Sequence, residues 1–158
     1  MRKQYISKSE IASLLKVINN WGISIQKIKK VLSVEVEKGS ILISDEFKIV
    51  MINNHILPFL ADKELLTHFP SIEVDMGAVK AVCNGASIAR PGIVRMDDFK
   101  KDDIVVVKDV NHKQCLAVGI ALMDKDEAEK LNKGHVIKNL HYISDEFWEI
   151  YKEIRIQT

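Results

Sequence analysis

Only two cysteines, three prolines and seven glycines occur in the 158 residues, and no apolar run approaches the length of a membrane span. Cys83 and Cys115 both stand in apolar stretches, so they read as buried thiols and not as a disulfide, and two are too few for a Cys-only metal site. No stretch rich in Gly, Ser or Pro breaks the chain, which excludes a flexible linker, and there is no internal repeat, low-complexity segment or heptad pattern. The opening MRKQYISKSE lacks the apolar core of a secretory signal, so a cytoplasmic address is the default expectation and no membrane partner is expected. A formal net charge of +1 speaks against a strong non-specific nucleic-acid binder, and DNA is not an expected partner. Phosphate cradles of the Gly-x-Gly-x-x-Gly or Gly-Lys-Ser/Thr kind are missing, as is a nucleophile elbow. His55, His68, His112, His135 and His141 show no metal-ligand spacing. The expectation is therefore a protein without cofactor, metal or catalytic residue, and not an enzyme.

A hydrophobic share of 47% with 28% charged residues suits a soluble globular chain able to bury one ordinary core or two small ones. Charge divides unevenly: ten basic face seven acidic residues up to position 70, and thirteen face fifteen beyond it. The second half is mildly acidic, its acids concentrated at Asp97-Asp98, Asp102-Asp103 and residues 124–129, which leaves room for a local basic patch elsewhere.

Ser7 and Glu10 have capping-box spacing ahead of Ile11, Leu14, Leu15 and Ile18, which predicts a helix that stops at Trp21-Gly22. From Val31 to Ile52 the period shortens, predicting three strands joined by tight turns at Lys38-Gly39 and Asp45-Glu46. Residues 53–58 are expected to break that meander, and residues 61–68 to form one or two helical turns with Leu65 and Leu66 inward. Lys27, Lys29 and Lys30, with Lys48, form a basic cluster that is either solvated surface or a second contact for RNA or an acidic partner.

Residues 74–94, VDMGAVKAVCNGASIARPGIV, read as helix, cap, strand, turn, strand. Asp75 caps a short helix with Val79, Val82 and Cys83 inward, and Asn84-Gly85 stops it. Residues 86–89 are expected as a strand, with Pro91-Gly92 in a type II turn flanked by Arg90 and Arg95. Lys80, Arg90 and Arg95 beside the open main chain of Gly85, Ala86, Pro91, Gly92 and Ile93 would make a phosphate-binding ledge. Strands are predicted at residues 104–108, 115–123, 135–141 and 149–156, with a helix from Asp124 to Leu131. His141 is expected to hydrogen-bond within the barrel and Trp148 to plug the core, while Tyr142 could stack on an unpaired base.

Gly77-Ala78, Gly85-Ala86 and Pro91-Gly92-Ile93, followed by CLAVGIALM at 115–123 and NKGHVIKNLHYISDEFW at 132–148, resemble the PUA domain, a small RNA-binding barrel. The layout is similar to the MCTS (malignant T-cell amplified sequence) family, whose motif normally has Gly where this chain has Ser144. The resemblance implies an α+β fold: a small amino-terminal α+β domain at 1–72 packed on a PUA-type mixed β-barrel with short helices at 73–158. It implies structured RNA, a tRNA acceptor end or small-subunit rRNA, as the partner in translation initiation or ribosome recycling. It also implies a translation initiation factor as a protein partner through the amino-terminal part, or service as an accessory subunit of a tRNA-modification enzyme.

Overall fold

In the computed structural model, which describes residues 2–157 and their side chains as far as Arg155, strand β1 (Arg2–Tyr5) precedes the helix signalled by Ser7 and Glu10. Ser7 Oγ accepts the Glu10 N–H and Glu10 Oε1 accepts the Ser7 N–H, both at 3.2 Å, so two orphan donors are satisfied where α1 (Lys8–Asn20) begins. Ile11, Leu14 and Ile18 supply its buried stripe, and Gly22 at φ +85° reverses the chain after it.

The meander then runs as β2 (Leu32–Val36), β3 (Gly39–Ile43), β4 (Lys48–Ile52) and β5 (His55–Pro58), giving an antiparallel sheet in the order β1-β2-β3-β4-β5. Residues 53–58 thus continue the meander instead of breaking it. Asn53-Asn54 is itself the hairpin turn, Asn53 taking φ +55° as its short polar side chain allows. Gly39 is required by close approach, because a Cβ there would lie 1.9 Å from the Met51 carbonyl oxygen. A single short helix, α2 (Lys63–Leu66), buries Leu65 and Leu66 as expected.

The second sheet starts at β6 (Ser71–Val74), two residues ahead of the expected boundary. After a 3-10 turn at Met76–Ala78 come α3 (Val79–Val82), β7 (Ile88–Ala89), a 3-10 turn at Arg90–Gly92, β8 (Ile93–Met96), β9 (Ile104–Asp109), β10 (Cys115–Ala121), α4 (Lys125–Glu129), β11 (His135–Tyr142) and α5 (Glu146–Gln157). Its order is β7-β11-β10-β9-β6-β8, with β6 and β9 parallel and every other pair antiparallel. This nearly closed mixed sheet encloses Ile72, Val105, Val107, Ala117 and Ile137.

Two expectations fail locally. Residues 149–156 are helical, because Asp145 Oδ1 accepts the Trp148 N–H at 2.8 Å and so caps α5, and Phe147 and Ile154 are buried at helical spacing. The Arg90–Gly92 turn is not type II: Gly92 keeps a negative φ, and a Cβ there would lie 3.2 Å from that of Ala78, so glycine serves close packing.

One apolar cluster draws Val34, Ile41, Val50, Leu57 and Phe59 from the amino-terminal half together with Val106, Val118, Leu140, Phe147 and Ile154, so the two sheets share a core. No helix among the described residues is long and apolar enough to cross a membrane.

Candidate nucleic-acid interface

Asp75 Oδ1 accepts the Ala78 N–H at 2.9 Å, and this cap launches the single turn of α3. Lys80 is exposed on that turn, and no ion pair holds it among the described residues. The helix ends at Gly85, φ +91°, where a Cβ would come within 3.0 Å of the Tyr142 ring. Gly85 is therefore needed twice, for its backbone angle and for the aromatic ring laid against it.

Three side-chain bonds tie this loop to β11 and the turn after it. Asn139 Nδ2 donates to the carbonyls of Val82 and Ala86, both at 3.0 Å, and Ser144 Oγ donates to the carbonyl of Cys83 at 3.2 Å. The N–H groups of Asn84, Gly85 and Ala86 are used up on Ala81, Val82 and Ala81 carbonyls. The loop consequently offers a fixed shape with little side-chain bulk at Gly85-Ala86, and not a set of vacant donors.

The arginines at the 3-10 turn behave differently from each other. Arg90 is half-buried; its Nη1 donates to the Ile93 carbonyl at 3.1 Å, and its buried Nε has no partner in the protein. Pro91 is exposed, but the Ile93 side chain is 6% accessible and belongs to the core, so only its main chain borders the turn. Arg95 lies in an ion cluster: Nε meets Glu73 at 2.8 Å, Nη1 meets Asp97 at 2.6 Å, and Nη2 donates to Ser71 Oγ at 3.1 Å. Lys113 Nζ completes the cluster 2.6 Å from Glu73.

Hydrogen bonds from Lys113 and then Arg95 hold the Glu73 carboxyl below its usual range. Asp97, whose burial works the other way, is also lowered because bonds from Arg95 and Ser71 outweigh it. Arg95 is raised in turn, first by Asp97 and then by Glu73. Any phosphate at Arg95 must compete with two carboxylates already in place.

The expected residues fall into two clefts. Gly85 and Tyr142 line one of about 220 Å³, where Lys38 and Ile52 from the first sheet meet Asn84 and Asn139 from the second. Arg90, Ile93 and Arg95 line another of about 340 Å³ with Val94, Met96 and Glu129. Lys80 borders neither. Tyr142 is half-buried against Gly85 instead of standing clear, and Trp148 lies near-parallel to Phe59 at 6.3 Å. His141 is fully buried, and its bonds reach beyond the barrel: Nδ1 meets Asp145 at 2.7 Å and Nε2 accepts the Leu60 N–H at 3.0 Å. Sequence reading missed Asn139, Ser144 and Lys38; a polar Asn inside a strand-like run was the one available signal. No group of three or more His, Cys, Asp or Glu side chains among the described residues is arranged to hold a metal ion.

Comparison with known proteins agrees with this architecture. The PUA domain family model matches residues 70–143. An uncharacterized protein of Methanocaldococcus jannaschii is 40% identical over 78% of this chain and 90% of its own length. Translation machinery-associated protein 20 of Saccharomyces cerevisiae is 30% identical over 80% of this chain and 82% of its own. Malignant T-cell-amplified sequence 1-A of Xenopus laevis is 31% identical over 67% of each chain. A hypothetical protein of Pyrococcus horikoshii shares the fold, with a TM-score of 0.75 at 24% identity over 94% of this chain and 99% of that one. Its PUA barrel, its preceding sheet and this extent of identity mean that the chain belongs to the family of the malignant T-cell-amplified sequence and translation machinery-associated protein 20 proteins.

Proposed function

We propose that this chain is a non-catalytic, cytoplasmic RNA-binding protein that recognises structured RNA, a tRNA acceptor end or a small-subunit rRNA helix, in translation initiation or ribosome recycling. The observation that carries the reading is the tethered loop: Gly85 lies on Tyr142 while Asn139 and Ser144 hold the carbonyls on either side. A main chain fixed in this way and lacking bulky side chains lets a sugar-phosphate backbone come close, and recognition then follows shape more than base sequence. Lys80 and Arg90 neutralise phosphates beside it, while Gly85, Ala86, Pro91, Gly92 and the main chain of Ile93 shape the contact. Arg95 frames it from within its ion cluster. The match of residues 70–143 to the PUA model and the name of the yeast relative both favour a role with the translation machinery.

Residues 1–72 and 73–158 serve on this reading as two units, with β6 already part of the second. Binding of labelled tRNA, intact and lacking its 3′ end, tests the proposal against the K80A/R90A variant. Loss of the 3′ end and the double substitution should each weaken binding about tenfold or more, the substitution also lowering the salt slope by about two. Equal affinity and slope for variant and wild type would remove this face.

A further inference from the structure

Apart from the tethered loop and the arginine turn, the first sheet holds a cleft of about 550 Å³. Its floor is a cross-strand row in which Tyr5 pairs with Leu32 and Leu32 with Ile43. One wall is the irregular segment of residues 27–30, the other the turn at Ser44, Asp45 and Glu46. The first wall is set by alternation: Ile23, Ile25 and Ile28 pack against the α1 core, which turns Lys27, Lys29 and Lys30 out to solvent. None of these lysines has a carboxylate partner among the described residues. Lys30 Nζ stands instead 5.4 Å from the centre of the Tyr5 ring, and that tyrosine is 64% exposed, the most exposed of the large hydrophobic side chains described.

We infer that this cleft binds a single-stranded segment of RNA, an unpaired base stacking on Tyr5 while Lys27 and Lys29 meet the flanking phosphates. The inference rests on the RNA-binding reading above and adds a second contact to it. An open aromatic face beside unpaired cations is the combination that holds single strands, because every base has a π-face to stack and every linkage a charge to neutralise. Lys30, already drawn to the ring, adds positive charge to the stack. Asp45 and Glu46 on the opposite wall accept hydrogen bonds from exocyclic amino or 2′-hydroxyl groups and repel a phosphate there, which gives the strand a direction across the cleft. An acidic peptide would meet the same two carboxylates and has no use for the ring. A base inside a duplex cannot reach Tyr5, so the site selects unpaired RNA.

Fluorescence anisotropy with a short labelled oligo(U) RNA tests this on the full chain, using Y5A, K27A/K29A/K30A and K80A/R90A. Tyr5 and the three lysines are exposed, so thermal unfolding should match wild type. Y5A and the triple variant should each weaken oligo(U) binding about tenfold, and the triple variant should lower the salt slope by about two, while K80A/R90A leaves oligo(U) unaffected. Wild-type affinity in either cleft variant overturns the proposal, as does wild-type protein that binds tRNA but no oligo(U). A labelled poly-glutamate peptide whose binding falls in the cleft variants while RNA binding holds would reassign the cleft to protein and equally overturn it. Failure of the wild-type protein to bind either RNA would defeat the broader RNA-binding reading itself, a result distinct from losing this cleft alone.

Discussion

His141 accepts the main-chain N–H of Leu60 on its Nε2 at 3.0 Å, from a position on β11 of the second sheet to the segment that leaves the first. Because that nitrogen is an acceptor, the ring is neutral with its proton on Nδ1, which donates to Asp145 at 2.7 Å. Phe59 stacks on the same ring at 5.0 Å, so polar and apolar joints coincide at a fully buried site. Replacing His141 with Phe keeps most of the volume but leaves the Leu60 N–H and one Asp145 oxygen short of a partner. The expected loss is about 2–4 kcal/mol, from roughly 1–3 kcal/mol per buried group left unpaired. Urea unfolding measures it, and Leu60 amide exchange should quicken by more than the global loss explains. A variant within about 0.5 kcal/mol of wild type would show that this bond does not join the halves.

Acid should find the Glu73 cluster early. The folded carboxyl lies below the ordinary glutamate value of 4.5 because Lys113 and Arg95 bond to it. Its contribution to stability is therefore complete above about 4.5 and is lost as the pH falls through the lower folded value. Asp97 acts in the same direction. In E73Q that contribution is absent at every pH. The stability gap between wild type and E73Q should be widest near neutrality and shrink towards pH 3, as read from urea midpoints across the range. A constant gap would mean that the ion pairs with Arg95 and Lys113 contribute nothing that titrates.

Ser144 occupies φ +78°, a left-handed conformation that the family motif gives to glycine, and donates to the Cys83 carbonyl from it. The backbone angle costs a side-chain-bearing residue about 1 kcal/mol, and the exposed hydrogen bond offsets about as much. S144A keeps the strain and loses the bond, and should be about 1 kcal/mol less stable than wild type. S144G loses both and should lie close to wild type. Finding S144A at least as stable as S144G would show that the Cys83 tether, not the backbone angle, sets the energy here.

What could be read in advance depended on how far apart in the chain the deciding partners lie. The α1 cap was legible because Ser7 and Glu10 complete it within four residues, and the stop at Gly85 was legible because its φ is a local property. Residues 149–156 fit an alternating pattern and a helical one equally well, and the choice was made upstream by the Asp145 cap. Gly92 was assigned to turn chemistry when its real constraint is Ala78, on another turn of chain. Arg95 carries the same lesson for the candidate site. Its charge was visible, but Glu73 lies 22 positions earlier and Lys113 reaches that carboxylate from 40 positions away, so no local pattern could show the guanidinium already engaged.

That engagement separates the two arginines in any RNA-binding experiment. Arg95 and Lys113 balance Glu73 and Asp97, so the cluster is formally neutral as a unit. Removing Arg95 leaves a net negative charge beside the Arg90 turn and should weaken RNA binding through repulsion, by about two- to fivefold at low salt. Because no phosphate contact is lost, the slope of log affinity against log salt should drop by much less than the roughly 0.9 per contact of a bound phosphate. R90A should lose that full increment. Adding D97N to R95A removes the exposed negative charge and should restore most of the lost affinity, an outcome that a direct Arg95-phosphate contact would not allow. Titrations of labelled tRNA across a salt series give both quantities at once. A full slope increment lost in R95A, with no rescue by D97N, would mean that Arg95 leaves its carboxylates and takes hold of the RNA itself.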